Sequence, residues 1–230
     1  MKAFILMTAG RAGSTALMDK LASFDNIAVP NKQIKCRDNE ILHPKFIQHY
    51  ASLYQQKTGL QVRDEISLIN AFFISNQDMA FAGFKSMPNR HANLQALFKA
   101  NIQIITLHRM DFASTVASFI IATDAGTWRR VGGKQKHRFI FGPDYEQRVT
   151  GHLKYILSSM QLLQSIPGAI HLNYEDLCRE NFTNDKLNDF FARNIQLDDP
   201  KKPTVADHYV ENWLEFKKFI DLRLKQLGIQ

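Results

Sequence analysis

Short apolar segments alternate with amphipathic helical segments along most of this 230-residue chain. The strand-like segments are Phe4–Met7, Ile27–Val29, Ala80–Phe84, Ile102–Leu107 and Ala169–Leu172. Apolar residues at helical spacing mark the segments Ser14–Phe24, Pro44–Tyr54, Glu65–Phe73, Asp111–Ala122, Tyr145–Ile166, Phe182–Ile195 and Tyr209–Leu227, and one around Leu94, Leu97 and Phe98. This alternation predicts an α/β fold: one parallel sheet flanked by helices on both faces. The length fits a single domain over residues 1–230, and ligands of such sheets bind at the carboxyl ends of the strands.

The charge of the chain favours an anionic partner. Lys and Arg number 29 against 22 Asp and Glu, which gives a net charge of +7 and a pI near 9.4. Nucleic acid, an acidic membrane, and a phosphorylated or sulfated small molecule all fit this balance, and so does a protein without an acidic ligand.

The cysteines and the apolar runs of the sequence predict the cellular compartment of the protein. Cys36 and Cys178 have neither disulfide-framework nor metal-site spacing, which suits a reducing compartment. The apolar stretch Ala3–Met7 is shorter than the ~7–15 residues of a signal-peptide core, and no run approaches the ~20 residues of a membrane span. We therefore expect a cytoplasmic protein without a transmembrane segment.

The first strand runs directly into the sequence Gly10-Arg-Ala-Gly-Ser-Thr15 and then into a helix. Glycines let the backbone approach a ligand, and the N–H groups at a helix start favour an anion. Arg11 adds a permanent charge, and Ser14 or Thr15 adds a hydroxyl donor. The segment therefore predicts a phosphate-binding loop; an ordinary capped strand–helix turn is the alternative.

This loop is P-loop-like but departs from the nucleotide P-loop G-x-x-x-x-G-K-[ST], because no Lys precedes Ser14. The strand Ile102–Leu107 is followed by Arg109 rather than by a metal-binding Asp. Hydrolysis of a magnesium nucleotide is therefore disfavoured, and we expect phosphates neutralised by protein groups without a metal.

A second anion-binding segment is predicted after the strand Ile102–Leu107. In a parallel sheet Arg109 would lie beside the first loop, with Ser118 two helical turns further on. Two such sites suit a ligand with phosphates at both ends. The alternatives are a salt bridge from Arg109 to Asp111 and a packing role for Ser118.

Several segments together resemble one enzyme family. They are Arg11-Ala-Gly-Ser-Thr15, Gly83-Phe-Lys85, Leu107-His-Arg-Met-Asp111 with Ser118, Ala122–Trp128, and Asn173-Tyr-Glu-Asp-Leu177. In this order and spacing the chain, from Phe4 to about Trp213, resembles sulfotransferases that use 3′-phosphoadenosine 5′-phosphosulfate (PAPS). The resemblance is greatest to the bacterial branch with the nodulation-factor and trehalose sulfotransferases.

The resemblance implies a set of cofactor contacts. Arg11, Ala12, Gly13, Ser14 and Thr15 would bind the 5′-phosphosulfate. Arg109 and Ser118 would bind the 3′-phosphate, and Lys201 and Lys202 would cover the nucleotide unless they form an exposed linker. PAPS would be the donor and PAP, the desulfated nucleotide, the product, with no metal. The segment Asn173–Leu177 is interpreted as structural.

Catalysis would need a cation that stabilises the charge on the leaving 5′-phosphate and a base that takes the proton of the acceptor hydroxyl. Arg11 is the first candidate for the leaving group, and Lys85 the second unless it is a surface lysine. The family has a carboxylate soon after the second strand, but Pro30–Ile34 contains no acid. Glu40 and His43 are the nearest candidates, and Asp64 or Glu65 lie further on, so the base stays open.

The acceptor would be a hydroxylated carbohydrate, a glycolipid or a small metabolite, bound through Trp128 and Arg130. These residues belong to residues 125–144, a basic segment predicted to be a substrate loop or lid. Residues 207–228 are predicted to form a closing helix packed through Val210, Trp213, Leu214 and Leu224, either on its own domain or on a second copy in a homodimer.

Three other functions stay open. A divergent P-loop kinase would require ATP and magnesium. A protein that binds PAP or PAPS without catalysis would lack a functional base. A basic nucleic-acid binder is disfavoured because the chain has no RNA-recognition signature.

Overall fold

A computed structural model of the protein describes residues 1–34, 39–90, 101–124, 138–179, 182–195 and 210–229. In these residues five parallel strands form one sheet, in the order β2-β3-β1-β4-β5. The strands are β1 (Lys2–Thr8), β2 (Ile27–Ala28), β3 (Phe81–Ser86), β4 (Gln103–His108) and β5 (Ile170–Asn173). β1 pairs with β3 on one side and with β4 on the other. The loop after β1 therefore lies between the carboxyl ends of β3 and β4.

Helices cover both faces of this sheet, which confirms the predicted α/β fold. They are α1 (Ser14–Ala22), α2 (Pro30–Gln33), α3 (Pro44–Thr58), α4 (Glu65–Ser75), α5 (Phe112–Asp124), α6 (Pro143–Gln164), α7 (Tyr174–Leu177), α8 (Asp185–Phe191) and α9 (Trp213–Gln226), with a 3₁₀ turn at Pro88–Arg90. Alternate residues of β1 point to opposite faces. Phe4 and Leu6 pack with α1 and α8, whereas Ile5 and Met7 pack with α3 and α4.

A third apolar cluster lies between α5, α6 and α9, where Val116, Leu153 and Phe216 are fully buried. It packs α5 and α9 against α6. The helix that follows β4 is thereby fixed with its first turn at the carboxyl edge of the strands.

The helix predicted over Phe182–Ile195 is shorter in the structure, where α8 spans Asp185–Phe191. The Asn184 side chain accepts a hydrogen bond from the Leu187 N–H and so begins the helix at Asp185. Ala192 has a φ of 50°, which ends the helix.

The closing helix also begins later than predicted, at Trp213. Val210 instead forms a parallel bridge with Phe139. The Asn212 side chain accepts a hydrogen bond from the Phe141 N–H through Oδ1 and donates one to the Phe141 C=O through Nδ2, both at 2.8 Å. The expected packing of Leu214 is wrong: it is 72% exposed, and Phe216 and Ile220 are the buried residues of this face. Residues 207–209 lie outside the described residues.

Other predicted segments differ in smaller ways. Pro30 starts the helical turn α2 after the second strand, and α6 begins at Pro143 rather than at Tyr145. The segment around Leu94–Phe98 and most of the predicted lid, residues 125–137, lie outside the described residues. Among the helices of the described ranges, none is both long and apolar enough to span a bilayer.

Candidate functional site

The loop between β1 and α1 has an unusual backbone. Gly10, Arg11 and Gly13 have φ angles of 93°, 56° and 76°, all left-handed. Thr8 Oγ1 accepts a hydrogen bond from the Gly10 N–H at 3.2 Å, and Gly13 is the N-cap of α1. Left-handed residues ahead of a helix start turn backbone N–H groups toward one concave point, as in anion-binding nests.

The side chains of the loop divide between the interior and the solvent. Ala12 and Ser14 are buried, Arg11 is half-buried and Thr15 is exposed. Ser14 therefore stands at the base of the loop at the helix start, and Thr15 faces outward. The predicted phosphate-binding residues occupy one continuous turn at the carboxyl end of the central strand.

Arg11 contacts helix α5 directly, where its Nε donates a hydrogen bond of 2.7 Å to Ser118 Oγ. The sequence resemblance predicts that Ser118 and Arg109 bind the 3′-phosphate. The structure places Ser118 in contact with the arginine predicted to bind the 5′-phosphosulfate, and its role at the 3′-phosphate stays a prediction.

Arg109 lies immediately after β4 and is 9% exposed. Its guanidinium carbon is 5.0 Å from the centre of the Tyr174 ring, and its Nη2 is 3.7 Å from Asp111 Oδ2. The salt bridge to Asp111 considered as an alternative therefore exists. Asp111 also caps α5, because its Oδ1 accepts a hydrogen bond from the Ser114 N–H at 3.0 Å.

Tyr174 and Glu175, which follow β5, contact both predicted anion-binding segments. The Tyr174 ring packs so closely on Gly13 that a Cβ at Gly13 would overlap it. Glu175 Oε1 accepts hydrogen bonds from the N–H groups of Met110 (3.0 Å) and Asp111 (3.1 Å). The structural interpretation of this segment agrees with the Glu175 contacts, but the position of Tyr174 between loop and arginine was not foreseen.

Lys85 and Glu40 form an ion pair at the same edge of the sheet. Lys85 Nζ is 3.3 Å from Glu40 Oε1, and Glu40 pairs with Lys85 in an isolated parallel bridge. The Lys85 N–H also donates to Asn39 O at 2.8 Å. Lys85 is 8% exposed, so the alternative of a surface lysine is wrong. The bridge brings the carboxylate of Glu40 to the strand that neighbours β1.

His43 begins helix α3. Its Nδ1 accepts a hydrogen bond from the Lys45 N–H at 3.3 Å, and its ring lies 5.5 Å from that of Phe46. These are the contacts of a helix cap. Four other predicted site residues lie outside the described residues: Trp128, Arg130, Lys201 and Lys202.

A chain of hydrogen bonds that the sequence analysis missed connects β4 and β5. Thr106 Oγ1 lies 3.0 Å from His108 Nε2 and 2.8 Å from His171 Nδ1. Burial, with a smaller contribution from the charge of His171, lowers the pKa of His108 to about 4. His108 is therefore neutral near pH 7, and the positive charge at the end of β4 comes from Arg109. Alternation along β4 was the available signal, because it places Thr106 and His108 on one face.

The described residues contain no group of three or more His, Cys, Asp or Glu side chains arranged to hold a metal ion. What the site offers is a backbone loop with Arg11 at the end of β1, Arg109 at the end of β4 and the Lys85–Glu40 pair on β3. This arrangement suits the binding of an anion with more than one charged group.

No family model matches the sequence, and no curated protein matches it. Among solved structures, it is similar to a sulfotransferase from Alicyclobacillus acidocaldarius, with 12% identity, a TM-score of 0.49 and coverage of 100% of this chain and 97% of that chain.

Proposed function

We propose that this protein is a sulfotransferase that moves a sulfuryl group from PAPS to a hydroxyl, or an amine, of a carbohydrate, glycolipid or small-metabolite acceptor. One observation carries the proposal. The left-handed loop with Arg11 follows the central strand, and the strands on its two sides supply Arg109 and the Lys85–Glu40 pair. The sequence resemblance covers Arg11, Lys85 and Arg109, whereas Glu40 is the carboxylate nearest to the segment where the family has one.

The donor would lie with its phosphosulfate on the loop. The N–H groups of residues 11–15, the Ser14 hydroxyl and the Arg11 guanidinium would bind the 5′ end. Arg109 would bind the 3′-phosphate. Lys201 and Lys202 are proposed to cover the nucleotide, and Trp128 and Arg130 to contact the acceptor.

In the reaction the acceptor oxygen attacks sulfur and the bond from sulfur to the bridging oxygen of the 5′-phosphate breaks. That oxygen keeps the electron pair, and PAP leaves. Fixed cations aimed at the departing oxygen stabilise the developing charge, which is the role proposed for Arg11. The hydrogen bond from Arg11 to Ser118 restrains the guanidinium at the loop before the donor arrives.

Glu40 is proposed as the base that takes the proton of the acceptor hydroxyl. Its carboxylate is held at the sheet edge by the bridge to β3 and lies 3.3 Å from Lys85 Nζ. Lys85 would then contact the sulfuryl oxygens or the acceptor. His43 is the weaker candidate, since its Nδ1 already accepts a backbone hydrogen bond.

The experiment is a transfer assay with ³⁵S-labelled PAPS and a panel of hydroxylated sugars, glycolipids and phenols, without metal. The wild type should label an acceptor. Arg11→Ala should reduce the rate at least a hundredfold, as expected for loss of a charge-stabilising group, and Glu40→Gln should do so without weakening PAP binding. Arg223→Ala, an arginine on α9, is the control and should keep the wild-type rate.

Two results would contradict the proposal. Transfer of ³²P from ATP with magnesium, and none of ³⁵S, would identify a kinase. Tight PAP binding with no transfer to any acceptor would indicate a binding protein without catalysis.

A further inference from the structure

The ring of Tyr174 lies between the two segments proposed to bind the donor. One contact is with Gly13, where the ring occupies the space that a side chain at this position would need. The other is with Arg109, whose guanidinium carbon lies 5.0 Å from the ring centre. One side chain therefore contacts both the loop after β1 and the cation after β4.

The backbone on each side of this contact is fixed independently. Glu175 accepts hydrogen bonds from the N–H groups of Met110 and Asp111, so the turn that follows Arg109 is tied to the turn that follows β5. Gly13 is the N-cap of α1, so the loop side is tied to that helix. The Tyr174 ring and Asp111 both contact the Arg109 guanidinium and so restrain its direction.

We propose that Tyr174 is a positioning residue that holds the Arg109 guanidinium at a fixed distance from the phosphate loop, and that this spacing selects nucleotides carrying a 3′-phosphate as well as a 5′-phosphate. The inference rests on the proposed function and adds to it a determinant of cofactor specificity. A flat aromatic ring can contact both segments, because its face attracts the Arg109 guanidinium while the ring also packs on Gly13, which has no side chain in the way.

The chemistry of Tyr174 suits this role over the whole range of ordinary pH. Burial is the largest cause that raises the pKa of its hydroxyl, to about 12. The ring therefore stays a neutral phenol beside Arg109, and its contribution is the aromatic face rather than a charge. A phenylalanine should perform the same function.

The test compares PAP with AMP, which lacks the 3′-phosphate, by titration calorimetry. The ratio of the AMP and PAP dissociation constants measures recognition of the 3′-phosphate, and a general loosening of the site weakens both ligands and leaves the ratio unchanged. Tyr174→Phe should keep the wild-type ratio within about twofold. Tyr174→Leu should lower it by roughly two- to thirtyfold, the range of a cation–π contact. Arg109→Ala gives the lowest ratio expected.

The chain offers a matched control. Arg148 lies over the Tyr145 ring at 5.3 Å on helix α6, so Tyr145→Leu removes the same kind of contact elsewhere. It should leave the ratio unchanged. Should Tyr174→Leu not fold, Tyr174→Met fills a similar volume without a ring and carries the same expectation.

The outcomes separate this inference from the function on which it rests. A wild type that binds PAP no better than AMP would contradict the proposed function. A wild type that prefers PAP, together with a Tyr174→Leu or Tyr174→Met variant of equal preference, would overturn only the role of Tyr174. Loss of preference in Tyr174→Phe as well would show that the hydroxyl, not the ring face, acts, and would also overturn the proposal.

Discussion

Lys85 Nζ lies 3.3 Å from Glu40 Oε1 at the carboxyl edge of the sheet, and the two side chains are only 10% and 19% exposed. The residues come from segments 45 positions apart, joined by a bridge between their backbones. A charge pair so shielded from water is sensitive to the loss of either partner, because the remaining charge stays largely desolvated.

The first prediction concerns the stability of this pair. Lys85→Met should lower the free energy of unfolding by about 2–3 kcal/mol, somewhat less than for a fully buried pair because Glu40 keeps some contact with water. The double variant Lys85→Met with Glu40→Met should regain most of this loss. Urea unfolding of the three proteins measures both values.

A matched control is the exposed pair of Arg179 and Asp176, 3.2 Å apart with Arg179 74% exposed. Arg179→Met should change the free energy of unfolding by less than about 1 kcal/mol. If Lys85→Met is equally mild, the Lys85–Glu40 pair does not have the shielded environment described.

The second prediction concerns Gly13. Gly13→Ala places a Cβ inside the Tyr174 ring at a φ of 76°, so it should cost more than about 3 kcal/mol of stability or displace the ring. Gly168 has a φ of 72° with no atom within 4 Å of the new Cβ, so Gly168→Ala should cost only about 1–2 kcal/mol. Thermal or urea unfolding of both variants measures the difference.

That difference isolates the contact with Tyr174, since both glycines share the left-handed backbone. The double variant Gly13→Ala with Tyr174→Leu should recover part of the loss. Equal costs for the two single variants would mean that Tyr174 does not pack on the loop.

The third prediction concerns the hydrogen bond from Arg11 to Ser118. Ser118→Ala should raise the PAP dissociation constant about three- to tenfold, because it removes a charged hydrogen bond that restrains the guanidinium. The free energy of unfolding should change by no more than about 1 kcal/mol. Titration calorimetry measures the dissociation constant of PAP, and urea unfolding measures the free energy of unfolding.

Ser158→Ala is the control, because Ser158 Oγ donates only within its own helix, to Tyr155 O, among the contacts described. It should bind PAP like the wild type. Unchanged PAP binding in Ser118→Ala would show that this hydrogen bond does not prepare the loop for its ligand.

The fourth prediction concerns pH. Burial above all lowers the pKa of His108 from 6.5 to about 4, so between these values the unfolded chain binds more protons than the folded one. The stability that the folded state gains from keeping His108 neutral is fully present above pH 6.5 and is lost as the pH falls to about 4. His108→Gln should flatten the rise of stability across this window, measured by urea unfolding at several pH values.

His152 contributes with the same sign below pH 6.5, since burial above all lowers its pKa as well. His152→Gln is therefore the second variant of the series, and some slope should remain in each single variant. A pH profile of His108→Gln parallel to that of the wild type would contradict the buried, neutral state of His108.

Much of the fold follows from the sequence because local patterns determine it. Apolar runs between helical segments predicted the five strands of the sheet, and the sequence Gly10-Arg-Ala-Gly after a strand predicted the loop at the carboxyl end of β1. The ends of neighbouring parallel strands meet, so Arg109 was also expected at this edge.

The remaining site contacts depend on distances between segments that no local pattern carries. Glu40 reaches Lys85 through a backbone bridge outside the regular strands, and Ser118 faces Arg11 because of how α5 packs on α6 and α9. The starts of α8 and α9 were misplaced for a related reason. An Asn side chain and a Phe139–Val210 bridge, not helical spacing, decide where the helices begin.

The most direct test of the central claim is titration calorimetry with PAP, and in parallel with ATP and magnesium, on the wild type and on Arg109→Ala. A sulfotransferase that uses PAPS should bind PAP tightly as the wild type, at least tenfold more weakly as Arg109→Ala, and should bind little ATP. Absence of PAP binding, or ATP binding in its place, would contradict that claim.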